Sequence, residues 1–364
     1  MCQPIRAMAA GLVLTLIAVT PCAAQSARRW EVEGHGGLSW GSVSSDGTAA
    51  LPPAGAPIPS ISPLFPSRRT SSWFFGDGAE MLNGAAADLG LAARITPLDA
   101  ALRSPGLDYA SAAVIGVRVR RVLTPRFSAE VTFDLLPGSG DVSPELFDAA
   151  DTTQRSFEAA FRELFDSGPF ASVNVTTQMA SGGGSARELL LTGALNWQIG
   201  SGKSFAPYLT FGGGLVSGMG DLSSIEIEGA YEFMIVSQTG ALVGPYHEAD
   251  RMTMRFERGT SFVGLAGAGV RHELSDRWGF RIDGRFLIGQ ENSRLLIDAN
   301  PDVRLTSPGD FIESLTNPNI QFSNNPATGR QSTLSGEPID GFVAFKATGI
   351  QTRVLLTVGI FVAF

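Results

Sequence analysis

The chain has 364 residues, 27 of them basic and 35 acidic, with a formal charge of −8 and a mean hydropathy of only +0.12. Its one long apolar run, residues 8–19, is too short to span a bilayer, so a helical membrane protein is excluded. An acidic chain without a basic cluster argues against nucleic acid, and both cysteines, Cys2 and Cys22, fall in the first 22 residues, leaving no disulfide or thiolate chemistry beyond them.

Residues 1–24 read as a secretory signal peptide: Arg6, the apolar run, then small residues with cleavage after Ala24. Val19, Thr20 and Pro21 before Cys22 do not suit a lipoprotein signal. Residues 25–364 read as one all-β domain, an antiparallel up-and-down transmembrane β-barrel. Trp30, Val32, Gly34, Gly36, Leu38 and Trp40 form one row of the first strand, and Glu31, Glu33, His35, Gly37 and Ser39 the other. Period-two alternation of this kind turns one row to lipid and the other to a lumen. The two tryptophans are separated by about 33 Å of strand. With a tilt of about 40° that projects to about 25 Å, the height of an outer-membrane apolar band.

Residues 41–109 are not strand-like. Prolines at 52, 53, 57, 59, 63 and 66 stiffen them, Trp73, Phe74 and Phe75 suit a loop core, and a short helix is expected to open at Thr96 and Pro97. Alternating strands then follow at Ile115–Arg120, Phe127–Leu135, Leu189–Trp197, Tyr208–Val216, Phe262–Leu274, Trp278–Gly289 and Arg353–Phe364. Short turns join strands 2–3, 4–5 and 6–7. Long loops, about 41–110, 138–185, 219–258 and 291–345, supply the other connections. That rhythm gives about eight strands with both termini periplasmic; the alternative is ten, counting 170–180 and 225–236 as spans. Ser143, Pro144 and Glu145 open a helix in the second long loop, with Leu146, Ala150, Phe157, Phe161, Leu164 and Phe165 on one face and Gly168 to end it. Ile225, Ile227, Tyr231 and Phe233, and Met252, Met254 and Phe256, read as strands 5 and 6 prolonged beyond the membrane. Trp30, Trp40, Trp197 and Trp278 are the expected interfacial aromatics.

Three stretches resemble the small bacterial outer-membrane β-barrel superfamily, which includes the transmembrane part of outer membrane protein A and outer membrane protein W: Ala206–Gly214, Gly267–Asp283 and the terminal strand. In the last, Thr357, Gly359, Val362 and Phe364 match the family's C-terminal assembly signal. The resemblance implies a Gram-negative outer-membrane location, with outer-membrane lipids and the barrel-assembly machinery as partners. It implies no substrate, since the long loops depart from compact members.

The lumen row is charged: Glu31, Glu33, Arg118, Arg120, Glu130, Asp134, Arg281, Asp283, Arg285 and Arg353. In so narrow a barrel this reads first as a salt-bridge filling and second as a small ion pathway. No metal site, cofactor or catalytic residue is expected: three histidines without cysteine lack ligand spacing, and His272 with Ser275 or His35 with Ser39 is placed wrongly for a lipid hydrolase. Residues 200–204, Gly-Ser-Gly-Lys-Ser, lack the glycine spacing and following helix of a phosphate loop and read as a hairpin turn. The leading expectation is thus a non-enzymatic barrel with a structural or surface-interaction role or a narrow channel. Passage of a small or apolar solute, and a lipid-modifying enzyme, are the alternatives.

Overall fold

The computed structural model describes residues 30–42, 46–52, 73–108, 111–304 and 339–364, apart from 139, 168–169, 183, 185, 200–204, 221 and 237–238, together with isolated strand fragments between 53 and 72 and between 305 and 338. The expected signal peptide, the turn at 200–204 and Gly168 lie outside the described residues.

Eight strands close into an antiparallel barrel: β1 (Trp30–Ser42), β3 (Ala112–Val122), β4 (Phe127–Pro137), β6 (Arg187–Gln198), β7 (Ala206–Met219), β10 (Ser261–Glu273), β11 (Trp278–Gln290) and β14 (Ile350–Ala363), in the spatial order β1-β14-β11-β10-β7-β6-β4-β3. The β1–β14 ladder joins first strand to last, from Glu31↔Ala363 to Ser42↔Thr352, and β1 pairs on its other edge with β3. Short connections join β3 to β4, β6 to β7 and β10 to β11 at one end of the barrel, where Trp30 and Phe364 exchange backbone hydrogen bonds.

The alternation of the sequence decides which way each side chain points. Val32, Leu38, Val117, Val131, Phe211, Ile282, Val354 and Ile360 are exposed on the outside, while the intervening polar residues are buried inside. Contiguous apolar exposure on this scale wraps the whole wall and matches a hydrocarbon environment. Trp30, Trp197 and Trp278 ring the short-turn end and Trp40 the other, all exposed. Among the described residues no helix is long and apolar enough to cross a membrane.

The long loops do not lie loosely over the mouth. They build a second sheet of six strands: β2 (Gly47–Ala49), β5 (Phe170–Gly182), β8 (Ser224–Val236), β9 (Leu242–Arg258), β12 (Ser293–Arg304) and β13 (Ile339–Ala347). Its order, β2-β13-β12-β9-β8-β5, repeats the barrel order β1-β14-β11-β10-β7-β6 strand for strand. The wall therefore continues past the barrel as an open sheet. The stretches at 170–180 and 225–236 belong to this sheet, so the barrel has eight strands and not ten.

Where β3 and β4 lack such a continuation, helices take over. α1 (Gly76–Asp88) comes from the first long loop and α2 (Pro144–Asp166) from the second. α2 begins as the sequence indicates, with the Ser143 hydroxyl accepting the Leu146 N–H at 3.3 Å and Pro144 in the first turn. Both loops carry a helix, but in the first the α-helix lies ahead of the expected start at Thr96–Pro97, which is followed only by a single 3-10 turn at Ala101–Arg103. The Asn83 carboxamide instead holds the backbone of Ile95 through two bonds, at 2.7 and 2.9 Å, and Ser156 takes the Thr96 N–H at 2.8 Å. Pro97 also disfavours helical backbone at the residue before it. The helix forms earlier, in the alanine-rich run.

Phe157, Phe161 and Phe165 recur every fourth residue on α2 and stack toward the sheet. Trp73 lies 4.2 Å from Phe157 between ring centroids, Phe157 4.4 Å from Phe161, and Phe165 4.8 Å from Phe233 of β8. This aromatic core forms a cluster of its own, separate from the one in the barrel.

The outer face of the cap sheet is polar. Asp298 accepts from Arg255 Nε at 2.7 Å and from the Gly341 N–H at 2.6 Å. Partial burial opposes its ionisation, but these donors outweigh that and hold the carboxyl below the ordinary range. A depressed carboxylate adds stability above its unfolded value of about 3.9 and loses it as pH falls through the folded value. Asp298→Asn should therefore flatten the acid limb of cap unfolding, read as protease susceptibility from about pH 4 downward. An unchanged acid limb would count against the assignment.

Candidate functional site

Every barrel strand sends a polar side chain into the lumen, and those of all strands but β10 meet in the middle. Arg118 of β3 bridges Glu33 of β1 and Asp283 of β11, each at 2.9 Å. Arg281 reaches Glu130 of β4 at 2.9 Å and Glu33 at 3.1 Å. Arg285 reaches Glu130 at 2.7 Å and Asp283 at 3.2 Å. Neutral groups complete the shell. Asn196 of β6 donates to Glu130 at 2.7 Å, Tyr208 of β7 to Asp283 at 3.0 Å, and Thr357 of β14 to Asp283 at 2.7 Å.

Nearer the short-turn end, Glu31 accepts from Arg120 at 2.9 Å and from Arg271 of β10 at 2.6 Å. Arg271 also lies 4.4 Å over the Phe361 ring. His35 Nε2 sits 2.6 Å from Asp134. The carboxylates Glu31, Glu33, Glu130 and Asp283 thus face the guanidiniums Arg118, Arg120, Arg271, Arg281 and Arg285, with Asp134 on His35, and all but half-buried Arg271 are fully buried. Buried charge is tolerated only when paired in this way.

Toward the long loops the lumen becomes apolar, filled by Val114, Leu136, Leu190, Val216, Leu265, Leu287 and Leu355. Above that layer Glu188 of β6 binds both Arg353 of β14 and Arg258 of β9. The cap core follows. Among the described residues the lumen thus alternates along its length, ion-paired, then apolar, then ion-paired again.

All ten charged residues of the expected lumen row are buried inside, in more than one group. Arg353 joins the upper cluster, away from the other nine, and Asp134 meets a histidine. Sequence reasoning passed over Arg271 and Glu188. Both share parity with inward neighbours, Gly269 and Leu190, which is the signal that finds them. Two residues of the expected assembly signal have interior work: Thr357 binds Asp283, and a Cβ on Gly359 would come within 2.9 Å of the Glu33 side-chain carbons. Val362 is half-buried and Phe364 exposed at the barrel end. His272 lies between Phe205, at 4.5 Å, and Phe280, at 5.1 Å. Among the described residues no cluster of three His, Cys, Asp or Glu side chains could hold a metal.

No protein-family description matches the chain, and no curated protein sequence is similar to it. Solved structures are similar to it only at low identity and low TM-score. The outer membrane protein OprG from Pseudomonas aeruginosa is 9% identical with a TM-score of 0.34, over 93% of this chain and 97% of that one. A major outer membrane protein from Thermus thermophilus is 10% identical with a TM-score of 0.27, over 71% and 95%. The outer membrane protease OmpT from Escherichia coli is 10% identical with a TM-score of 0.23, over 92% and 97%. The closed eight-stranded barrel stands on the strand register of this chain itself.

Proposed function

We propose that this chain is an outer-membrane β-barrel of Gram-negative type that serves as a non-enzymatic, non-conducting pedestal for a folded surface domain. The observation that carries this reading is the lumen: ion pairs drawn from opposite walls cross it, and an apolar layer lies above them. The apolar outer belt supports the membrane address, and the loops, built into a sheet with its own core, support a surface-interaction role. In this reading both termini and the short turns face the periplasm.

A non-enzymatic role fits the histidines. His35 is engaged by Asp134, and His272 is stacked between two rings. The test is planar-bilayer recording of the purified, heat-modifiable barrel. We expect no discrete conductance steps. Steps that Arg118→Ala or Arg285→Ala enlarge would replace this reading with the narrow channel.

Phe364 closes the terminal strand outside the lumen, with its backbone paired to Trp30. If it serves recognition by the assembly machinery, its deletion should lower the yield of folded barrel in cells while leaving refolding from denaturant into detergent nearly unchanged. Equal losses in both would make it a stability residue only.

A further inference from the structure

On the β7–β10 side the ladder lapses where barrel passes into cap. The β7–β10 ladder ends at Val216↔Ser261, and the β8–β9 ladder begins at Ser224↔Arg255. Between these rungs the backbone ladder lapses, with Ser217 and Thr260 still bonded through their hydroxyls at 3.1 Å, and a cavity of about 540 Å³ lies beside the gap. Its lining divides by chemistry. Arg187, Arg255 and Arg258 supply guanidiniums, while Met219, Leu222 and Phe256 supply apolar surface. The carboxylate of Glu257, also in the lining, is held by Arg255 at 3.1 Å.

The arginines are not equivalent. The Arg258 side chain is buried and bound to Glu188. Arg255 is half-exposed and oriented from behind by Asp298 at 2.7 Å. Arg187 is exposed at the rim, directly across the ladder from Met219, and among the described residues it makes no ion pair. Phe262, across from Leu215, and Met219, four residues further along β7, are exposed at 81% and 52% and are the last large apolar side chains of the outer belt on these strands. The cavity therefore sits where hydrocarbon gives way to headgroups.

A guanidinium presents a planar fork of donors that matches phosphate oxygens. Apolar surface beside it matches the first carbons of an aliphatic chain. We propose that this cavity binds the phosphate-bearing head of an amphiphile from the surrounding leaflet, with the phosphate on Arg187 and Arg255 and the start of its chain on Met219 and Leu222. The site rests on the belt facing lipid. It makes no use of the sealed lumen, so its failure and a conducting barrel are separate results.

The test uses the full chain in neutral maltoside micelles, titrated with monododecyl phosphate, with inorganic phosphate and with dodecanol, and followed by phosphorus NMR and calorimetry. One saturable site per chain is expected for monododecyl phosphate. Binding should be at least tenfold weaker for inorganic phosphate and undetectable for dodecanol. Arg187→Gln should weaken it about tenfold or more, a loss of one charge-assisted contact, and Met219→Glu should do the same through the apolar side. Both residues are exposed, and heat-modifiability confirms that each variant folds. Unsaturable binding, equal binding by dodecanol, or undiminished binding in both variants would overturn the proposal. Inorganic phosphate binding as tightly as the amphiphile would overturn the amphiphile and leave a soluble phosphate as the occupant.

Discussion

Arg281→Ala should lower barrel stability by about 3–5 kcal/mol, the usual loss when one member of a buried charge network is removed. Arg281 touches Glu130 and Glu33 directly and lies 3.9 Å from Glu31, so its loss takes a guanidinium from carboxylates on two strands at once and leaves Glu33 to Arg118 and Glu130 to Arg285. Arg155 is the fair comparison. It pairs with Asp151 one helical turn away at 2.9 Å, but its side chain is 76% exposed, and Arg155→Ala should cost about 0.5 kcal/mol or less. The measurement is urea unfolding in detergent, with the gel-shift of the heat-modified form as readout. A double change, Arg281→Met with Glu33→Gln, should recover part of the loss, because it removes charge from both sides. If Arg281→Ala and Arg155→Ala unfold at the same urea concentration, Arg281 has water or other donors to spare its partners.

Phe157→Ala should cost the cap about 3–5 kcal/mol, the range for removing a buried phenyl ring. The ring is fully buried and stacks on Trp73 and Phe161, so the void would open at the centre of the aromatic cluster. Because that cluster is distinct from the apolar layer in the barrel, the two should respond separately. Limited proteolysis is expected to cut within 138–182 and 220–258 of the variant while the heat-modifiable barrel persists. A variant whose barrel melts together with its cap would show that the two cores unfold as one unit.

The barrel was legible because period-two alternation is a strong signal when one face meets lipid. The inward rows of β1 and β11, Glu31-Glu33-His35 and Arg281-Asp283-Arg285, alternate with apolar residues so regularly that strand and facing follow together. The apolar exceptions on β14, Leu355 and Phe361, needed coordinates: Leu355 joins the inner apolar layer, and Phe361 lies under Arg271. The cap was only half legible. Its strands alternate like those of the barrel, and Glu226 and Glu228 mark Ile225–Phe233 as lying outside hydrocarbon. Nothing local says that pieces of four loops, hundreds of residues apart, pair edge to edge. That order is inherited from the barrel beneath, since each cap strand rises from the wall strand to which it is connected. The early helix was missed for a similar reason: Asn83 fixes Ile95 across a turn that propensity alone cannot see. Ion-pair partners were not legible either, because parity gives the side of the wall but not the height of each head.

Closure of β1 onto β14 has a consequence for the order of events in assembly. Glu33 enters the chain early, yet its guanidinium partners sit on β3 and β11, and Asp283 on β11 takes the hydroxyl of Thr357 from β14. Until the last strand meets the first, the far half of this interior has nothing to lean on, and its ions must stay hydrated. Zipping the seam and drying the inside are therefore one step. A chain stalled just short of it would carry a wet, open trough into the membrane, which places the commitment of the whole molecule at its final strand.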